Sequence, residues 1–327
     1  MRQSPMALEG TEGRFRDLTD YILGITHEIW ESGHVERIDD YYSTDCLIYT
    51  LGGMVHGSAA IITNTKETLR VFPDRLLLGE AVIGSRLGPG RFFSSHRIGS
   101  PMTHAGDLPY KSATGRKIFV RTIADCLVEN GRITKEWLVR DNYSLALQIG
   151  AAPLQVARYV ADGRTAECRD WLETEYRRAV RDATRGVITD FEPNTAAAYS
   201  AAVLCDQWVA GTSHERSAYA PYAVLYDSQV VSSGAEAIKS HYAKLRRSME
   251  KAAVSVDHVT VQDRTAGEYR VAVRWTLAFD HVGPLWGLAP SGKPAVLLGV
   301  THWQIVAGRI VAEWSVYDRI ALLAQLV

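Results

Sequence analysis

Two glutamates occupy matching places in two copies of one short motif. Glu136 lies in the segment GRITKEWLVRD, and Glu313 lies in the similar segment GRIVAEWSVYD. Each segment predicts a β-strand, and the alternation of side chains along a strand places Glu136 on the same face as Leu138. If that face lines an apolar cavity, burial moves the carboxyl pKa towards neutrality and the group can act as a general acid or base. The alternative is a glutamate on the solvent face of the sheet, or one paired with an arginine such as Arg121.

Four further polar residues are candidates for the same chemistry. His104 and His281 match each other in the two copies, and a histidine inside a cavity can protonate or polarise a carbonyl group. Each of them could instead cap the end of a strand by hydrogen bonding to the backbone. Asp125 in the first copy corresponds to His302 in the second. If both point inward, the two cavities differ in their polar groups; otherwise this is ordinary variation on a strand surface.

Other matching positions are expected to line a pocket. The last strand of each copy ends in an aspartate, which either takes part in catalysis or binds backbone amides where the chain leaves the sheet. A tyrosine at matching places supplies a pocket hydroxyl or belongs to the core. The predicted pocket positions are Tyr49, Leu138 and Asp141 in the first copy and Tyr226, Ser315 and Asp318 in the second.

The sequence predicts neither a metal site nor a cofactor. The histidines outside the repeated motifs have no ligand-like spacing, and the chain has no glycine-rich phosphate loop. No Cys-x-x-Cys pair is present, so free thiols are expected at Cys46, Cys126, Cys168 and Cys205.

An internal repeat organises the chain. Gly131 corresponds to Gly308, and the same separation of 177 residues (308 − 131) is kept without a gap from about residue 49 to the end of the first copy. Near the front the separation becomes 178, which matches Trp30 with Trp208 and Tyr41 with Tyr219. Chance does not keep register over about a hundred positions, so the chain is a tandem duplication.

Each copy reads as helices followed by long strands. Apolar residues at helical spacing predict a helix over 15–32, and turn signals separate long strands near 76–86, 90–104, 116–128 and 132–142. The predicted class is therefore α+β, with helices packed against a curved antiparallel sheet in each of two cone-shaped domains. The predicted divisions are an N-terminal tail (1–14), a first domain (15–150), a helical connector (151–190) and a second domain (191–327).

The motifs resemble a known family. The segments Thr103-His-Ala-Gly106, Thr114-Gly-Arg116 and Gly131…Glu136-Trp137…Asp141, with their counterparts in the second copy, are similar to the SnoaL-like polyketide cyclases of the nuclear-transport-factor-2-like superfamily. The resemblance implies a cone-shaped domain that closes rings by an aldol reaction without a cofactor. It also implies a general acid/base aspartate directly after the tryptophan of the last strand. This sequence has Leu138 and Ser315 there, so the family's own acid/base group is missing from both copies.

Two functions therefore remain open. In the first, the protein is a cofactor-free acid/base enzyme, of cyclase, isomerase, dehydratase or hydrolase type, acting on a small apolar oxygenated molecule through Glu136 with His104 or Asp125. In the second, it is a non-catalytic ligand-binding or assembly module. Three tryptophans, Trp275, Trp286 and Trp303, predict a second cone that is fuller or flatter than the first, which would leave the working pocket in the first copy.

Composition narrows the expected partners. The 327 residues carry 36 Lys and Arg against 37 Asp and Glu, so no basic field predicts binding to nucleic acid or to an anionic membrane. The start lacks an apolar segment of signal-peptide length, so a cytoplasmic protein is expected. The predicted partner is a small-molecule ligand. The two domains are expected to pair within the chain, and a homodimer is a further option.

Overall fold

The computed structural model describes residues 8–11, 13–185, 195–209, 218–265 and 267–327. The chain divides after Pro153 into two compact units. The domain boundary predicted near residue 190 lies outside the described residues. No described helix is both long and apolar enough to cross a bilayer.

The first unit contains the predicted helices and strands in the predicted order. Its leading elements are helix α1 (Leu18–Thr26), a π-helical turn (His27–Glu31), a 3-10 turn (Val35–Arg37), helix α2 (Ile38–Tyr41), strands β1 (Tyr42–Thr50) and β2 (Gly53–His56), and helix α3 (Gly57–Val71). Four long strands and a helix follow: β3 (Leu78–Gly88), β4 (Arg91–Thr103), β5 (Lys117–Glu129), β6 (Arg132–Arg140) and α4 (Asn142–Ile149).

The second unit repeats this order after three helices, α5 (Pro153–Asp162, which straddles the division), α6 (Ala166–Arg185) and α7 (Thr195–Trp208). Its remaining elements are β7 (Tyr219–Asp227), β8 (Val230–Ser233), α8 (Ala235–Arg246), β9 (Met249–Thr265), β10 (Glu268–His281), β11 (Pro294–Val306), β12 (Arg309–Tyr317) and α9 (Arg319–Leu326).

Each unit holds one six-stranded sheet. The strand order is β2-β1-β6-β5-β4-β3 in the first and β8-β7-β12-β11-β10-β9 in the second. The α+β class is confirmed, although each sheet is mixed, because β1 runs parallel to β6 and β7 parallel to β12. One helix and four strands separate β1 from β6 along the chain, and a connection of this length allows parallel pairing. All other pairs are antiparallel, as predicted.

In the first unit, the helices pack against one face of the sheet and create the core. In α1, Leu18, Ile22 and Ile25 recur at helical spacing and are buried, and the Asp17 carboxylate caps the helix by accepting from the amide of Asp20 at 2.9 Å. This helix packs against residues of β1, β5 and β6 in one apolar cluster. The face that β6 turns towards these helices carries the candidate glutamate.

Candidate active site

A cavity of about 410 Å³ lies between the helices and the sheet of the first unit. Its walls are mostly apolar and include Ile22, Ile25, Trp30, Ile98 and Leu138. Three neighbouring strands line this cavity. The register places Ile98 beside Thr122 and Arg140, His96 beside Ala124 and Leu138, and Cys126 beside Glu136. A cavity of this volume can enclose a small organic molecule.

Glu136 projects from β6 into this cavity. It is 5% exposed, and the hydroxyl of Tyr42 donates to its Oε2 at 3.1 Å. Burial raises the pKa of Glu136 to about 7, although the Tyr42 hydrogen bond and the charge of Arg140 act in the opposite direction. No described residue bonds its Oε1, so one oxygen of a carboxyl that titrates near neutral pH faces the cavity.

The alternation predicted from the sequence explains this placement. Glu136 and Leu138 lie on the cavity face, whereas Trp137 stacks between the rings of Tyr49 and Phe93 on the other face. The alternative partner Arg121 is engaged elsewhere, because it donates to both carboxylate oxygens of Glu80 at 2.9 Å.

Three cavity residues were missed by the sequence analysis. His96 lines the cavity at 3% exposure, and burial lowers its pKa to about 4, so the ring is neutral at physiological pH. Arg140 belongs to the same strand face as Glu136 and Leu138, so strand parity alone identifies it. Arg75 comes from the loop after α3, where no periodicity signals its direction.

Tyr42 was also missed, because the register of the repeat was placed one residue off. Tyr42 lies opposite Ile133 in the first sheet, and Tyr219 lies opposite Ile310 in the second. The counterpart of Tyr219 is therefore Tyr42 and not Tyr41, a correction that moves the change of spacing ahead of β1. Both hydroxyls donate to the glutamate of their own unit.

The two histidines of the repeat lie at strand ends, away from the described cavity. The Nδ1 of His104 lies 3.0 Å from the hydroxyl of Thr114, and its carbonyl accepts from the amides of Thr114 and Gly115. In the second unit, the Nδ1 of His281 lies 3.0 Å from the hydroxyl of Ser291, and the carbonyl of His281 accepts from the amide of Gly292. Burial lowers the pKa of both rings. The ring of His281 also accepts from the backbone amide of Ser291 at 3.2 Å, as in the capping alternative, whereas the Nδ1 contact of His104 is with a side-chain hydroxyl.

The remaining candidates do not line the cavity. Asp125 faces Trp137 in the register and His302 faces Trp314, so both lie on the sheet face opposite the glutamates. Tyr49 and Tyr226 lie on that face too, stacked on the same tryptophans. The alternation of side chains along the strands accounts for all four.

The two aspartates at the ends of the last strands cap helices. Asp141 accepts from the backbone amide of Ser144 at the start of α4, and Asp318 accepts from that of Ala321 at the start of α9, both at 3.0 Å.

Aromatic side chains fill the corresponding space in the second unit. Trp275 stands where the first unit has Ile98, Trp303 replaces Cys126, and Tyr317 replaces Arg140. Gly299 makes this possible, since a Cβ there would lie 2.2 Å from the Trp275 ring. Trp208 packs against that ring with centroids 4.9 Å apart. The void beside Tyr219 measures only about 30 Å³.

Glu313 is enclosed by hydrogen bonds rather than by a cavity. Its carboxyl oxygens accept from the hydroxyls of Tyr219 and Tyr242, from the amide of Gln207 at 3.0 Å and from the hydroxyl of Ser315 at 2.8 Å. The residue is fully buried. The same glutamate therefore faces an open cavity in one unit and a closed polar network in the other.

Comparisons with known proteins give one family and a set of similar folds. The profile of the SnoaL-like polyketide cyclases matches residues 21–149 and 211–326. No curated protein matches the chain. Among solved structures, IdmH, a candidate polyketide cyclase from Streptomyces antibioticus, is 22% identical, with 41% of this chain and 98% of that chain covered and a TM-score of 0.35. TsrD from Streptomyces laurentii is 19% identical over 41% and 98%, with a TM-score of 0.36. A SnoaL-like polyketide cyclase from Agrobacterium tumefaciens is 15% identical over 41% and 98%, with a TM-score of 0.35.

Proposed function

The chain belongs to the SnoaL-like polyketide cyclase family, and from this premise we propose that its first unit is a cofactor-free acid–base enzyme in which Glu136 moves the proton. One observation carries the proposal. Glu136 presents an unbonded carboxyl oxygen to a cavity of about 410 Å³, whereas Glu313, its counterpart, is bonded by four donors in a filled interior.

Glu136 takes the place of the aspartate that the family resemblance leads one to expect. That aspartate position holds Leu138, which lies two residues further along the same strand face, about 7 Å away. The proton-transfer group is thus displaced along the cavity floor towards Tyr42. The hydroxyl of Tyr42 donates to the Oε2 of Glu136, which leaves Oε1 for the substrate.

The proposed reaction is ring closure of a polyketide-like molecule through an enolate. The Oε1 of Glu136 takes a proton from a carbon next to a carbonyl group, and the electron pair of that C–H bond forms the enolate. The enolate carbon then bonds to a second carbonyl carbon of the same molecule. The oxygen of that second carbonyl receives the proton back from Glu136, so no redox partner is required.

His96 is suited to stabilise the enolate oxygen. It lies on the cavity floor two strands away from Glu136, and its ring is neutral. A neutral imidazole can donate an N–H bond to a carbonyl oxygen without carrying a charge into the apolar cavity. The substrate is expected to lie between these two side chains, with its acidic carbon towards Glu136.

The proposal can be tested without the natural substrate. β-Tetralone is a bicyclic ketone with exchangeable hydrogens next to its carbonyl group, and nuclear magnetic resonance follows their replacement in heavy water. The protein is expected to accelerate this exchange above the buffer rate. A protein that binds β-tetralone without accelerating exchange would instead be a ligand-binding module, the second function that the sequence left open.

The exchange rate is expected to rise with pH and to level off above about pH 7. Glu136 acts as a base only when it is deprotonated, and its pKa lies at about 7. Below that value the rate should fall roughly tenfold per pH unit. A profile that is flat between pH 5 and 8 would remove Glu136 from the reaction.

Tyr42→Phe is expected to move this profile to higher pH by roughly half a unit to one unit. The Tyr42 hydroxyl stabilises the ionised form of Glu136, so its loss raises the carboxyl pKa further. Tyr219→Phe is the matched control, since it removes the equivalent hydroxyl from the second unit. An unchanged profile in Tyr42→Phe would show that this hydrogen bond does not tune the reacting carboxyl.

A further inference from the structure

The cavity of the first unit adjoins a second one. This outer cavity measures about 360 Å³, and apolar side chains such as Phe72, Met102 and Leu145 line it. Arg75 and Arg140 line both cavities, as do Thr68 and Thr122. Two guanidinium groups and two hydroxyls therefore mark the place where two apolar compartments meet.

Arg75 is a half-buried arginine on which no opposite charge from the described residues acts. No described residue gives its guanidinium an ion pair or a hydrogen bond, and the charge that acts on it is the like charge of Arg140. Burial and this neighbour together lower the pKa of Arg75 to about 9. A half-buried cation beside a second cation is costly unless an anion joins them.

Among the described residues, one carboxylate shares this junction, and it is already engaged. Glu67 lines both cavities, but its Oε2 accepts from the Nε of Arg70 at 3.0 Å on the exposed side of α3. Glu136 and Arg140 act on each other through their charges, so Arg140 is not without a counter-charge. Among the described residues, the guanidinium of Arg75 is thus the one at this junction that has no counter-charge.

We propose that Arg75 and Arg140 form an anion-binding subsite that holds a carboxylate of the substrate where the two cavities meet. Guanidinium groups match the planar carboxylate with paired N–H donors, and Thr122 adds a hydroxyl donor; the Thr68 hydroxyl already donates to the carbonyl of Asn64 at 2.9 Å. The substrate is accordingly an aromatic or polycyclic keto acid, with apolar parts in both cavities. This inference rests on the proposed function, which identifies the inner cavity as the active site. It adds that the ligand carries a negative charge.

A pair of probes that differ in charge tests the subsite. β-Naphthoate and β-naphthamide have nearly the same shape, but only the first carries a negative charge. Titration calorimetry at pH 6 keeps the naphthoate ionised while Glu136 is mostly protonated. The wild-type protein is expected to bind the naphthoate about tenfold more tightly or better. Equal affinities, or no measurable binding of the naphthoate at millimolar concentration, would overturn the proposal.

Variants of the arginines test which side chains cause the preference for β-naphthoate over β-naphthamide. Arg75→Gln and Arg140→Gln should each reduce the ratio of the two affinities severalfold, and the double variant should abolish it. Arg70→Gln is the matched control, because Arg70 lines only the outer cavity and already has Glu67 as a partner. A preference that survives the double variant places the anion elsewhere and overturns the assignment.

Glu136→Gln separates this inference from the proposed function. The variant keeps both arginines, so it should retain the preference for naphthoate while losing the exchange of β-tetralone. Charge preference in a protein whose exchange activity does not depend on Glu136 would refute only the proposed function. Exchange that depends on Glu136 without any charge preference would refute only the anion subsite.

Discussion

Glu136→Gln is expected to lower the rate of hydrogen exchange in β-tetralone by about 100-fold or more. Glutamine keeps the size and the polarity of the side chain, but it cannot accept the proton. Tyr42 can still donate to the amide oxygen, so the cavity should keep its shape. The measurement is the initial rate of deuterium incorporation at saturating ketone and pH 8, with the binding of β-tetralone measured separately.

Glu313→Gln is the control that the duplication provides. It makes the same chemical change at the equivalent position of the second unit, where four donors and aromatic side chains enclose the carboxyl. Exchange by this variant should equal that of the wild type wherever the protein remains folded. Loss of exchange in Glu313→Gln alone would assign the chemistry to the second unit and contradict the proposal.

The sequence was sufficient for the fold and for the face on which Glu136 lies. Both follow from regular spacing: the repeat fixes corresponding elements, and period-two alternation places Glu136 and Leu138 together and Trp137 opposite. The tryptophans at positions 275 and 303 also indicated a fuller second cone, and both are buried in it. These properties depend on local pattern, which a single sequence contains.

The polar composition of the cavity could not be predicted in the same way. Arg75 enters from a loop, where direction depends on tertiary packing rather than on periodicity. His96 lies in β4, which is buried along most of its length on both faces, so polarity does not distinguish its inner side. To predict Tyr42 as a cavity residue, the register of the repeat must be known to within one residue. The pairing of β1 with β6 shifts just after Tyr42, so the sequence does not give the register there.

The equivalent glutamates are expected to have opposite effects on stability. At pH 8, Glu136→Gln should raise the free energy of unfolding by up to about 3 kcal/mol. In the folded protein burial raises the pKa of Glu136 to about 7, against 4.5 for an ordinary glutamate, so ionisation at high pH costs folding free energy. Glutamine removes that cost. The gain should be complete above about pH 7 and should vanish as the pH falls towards 4.5, where the carboxyl is protonated in both states.

Glu313→Gln should instead lower the free energy of unfolding by roughly 2–4 kcal/mol. Its carboxyl accepts from four buried donors, and the amide of glutamine would direct its own N–H groups at some of them. Urea titrations of both variants at pH 5 and pH 8 give the comparison. A Glu136→Gln variant no more stabilised at pH 8 than at pH 5 would contradict the raised carboxyl pKa. A Glu313→Gln variant with the same free energy of unfolding as the wild type would contradict the closed hydrogen-bond network. Opposite signs would show that burial of the carboxyl destabilises the first unit, whereas the same residue stabilises the interior of the second unit through its hydrogen bonds.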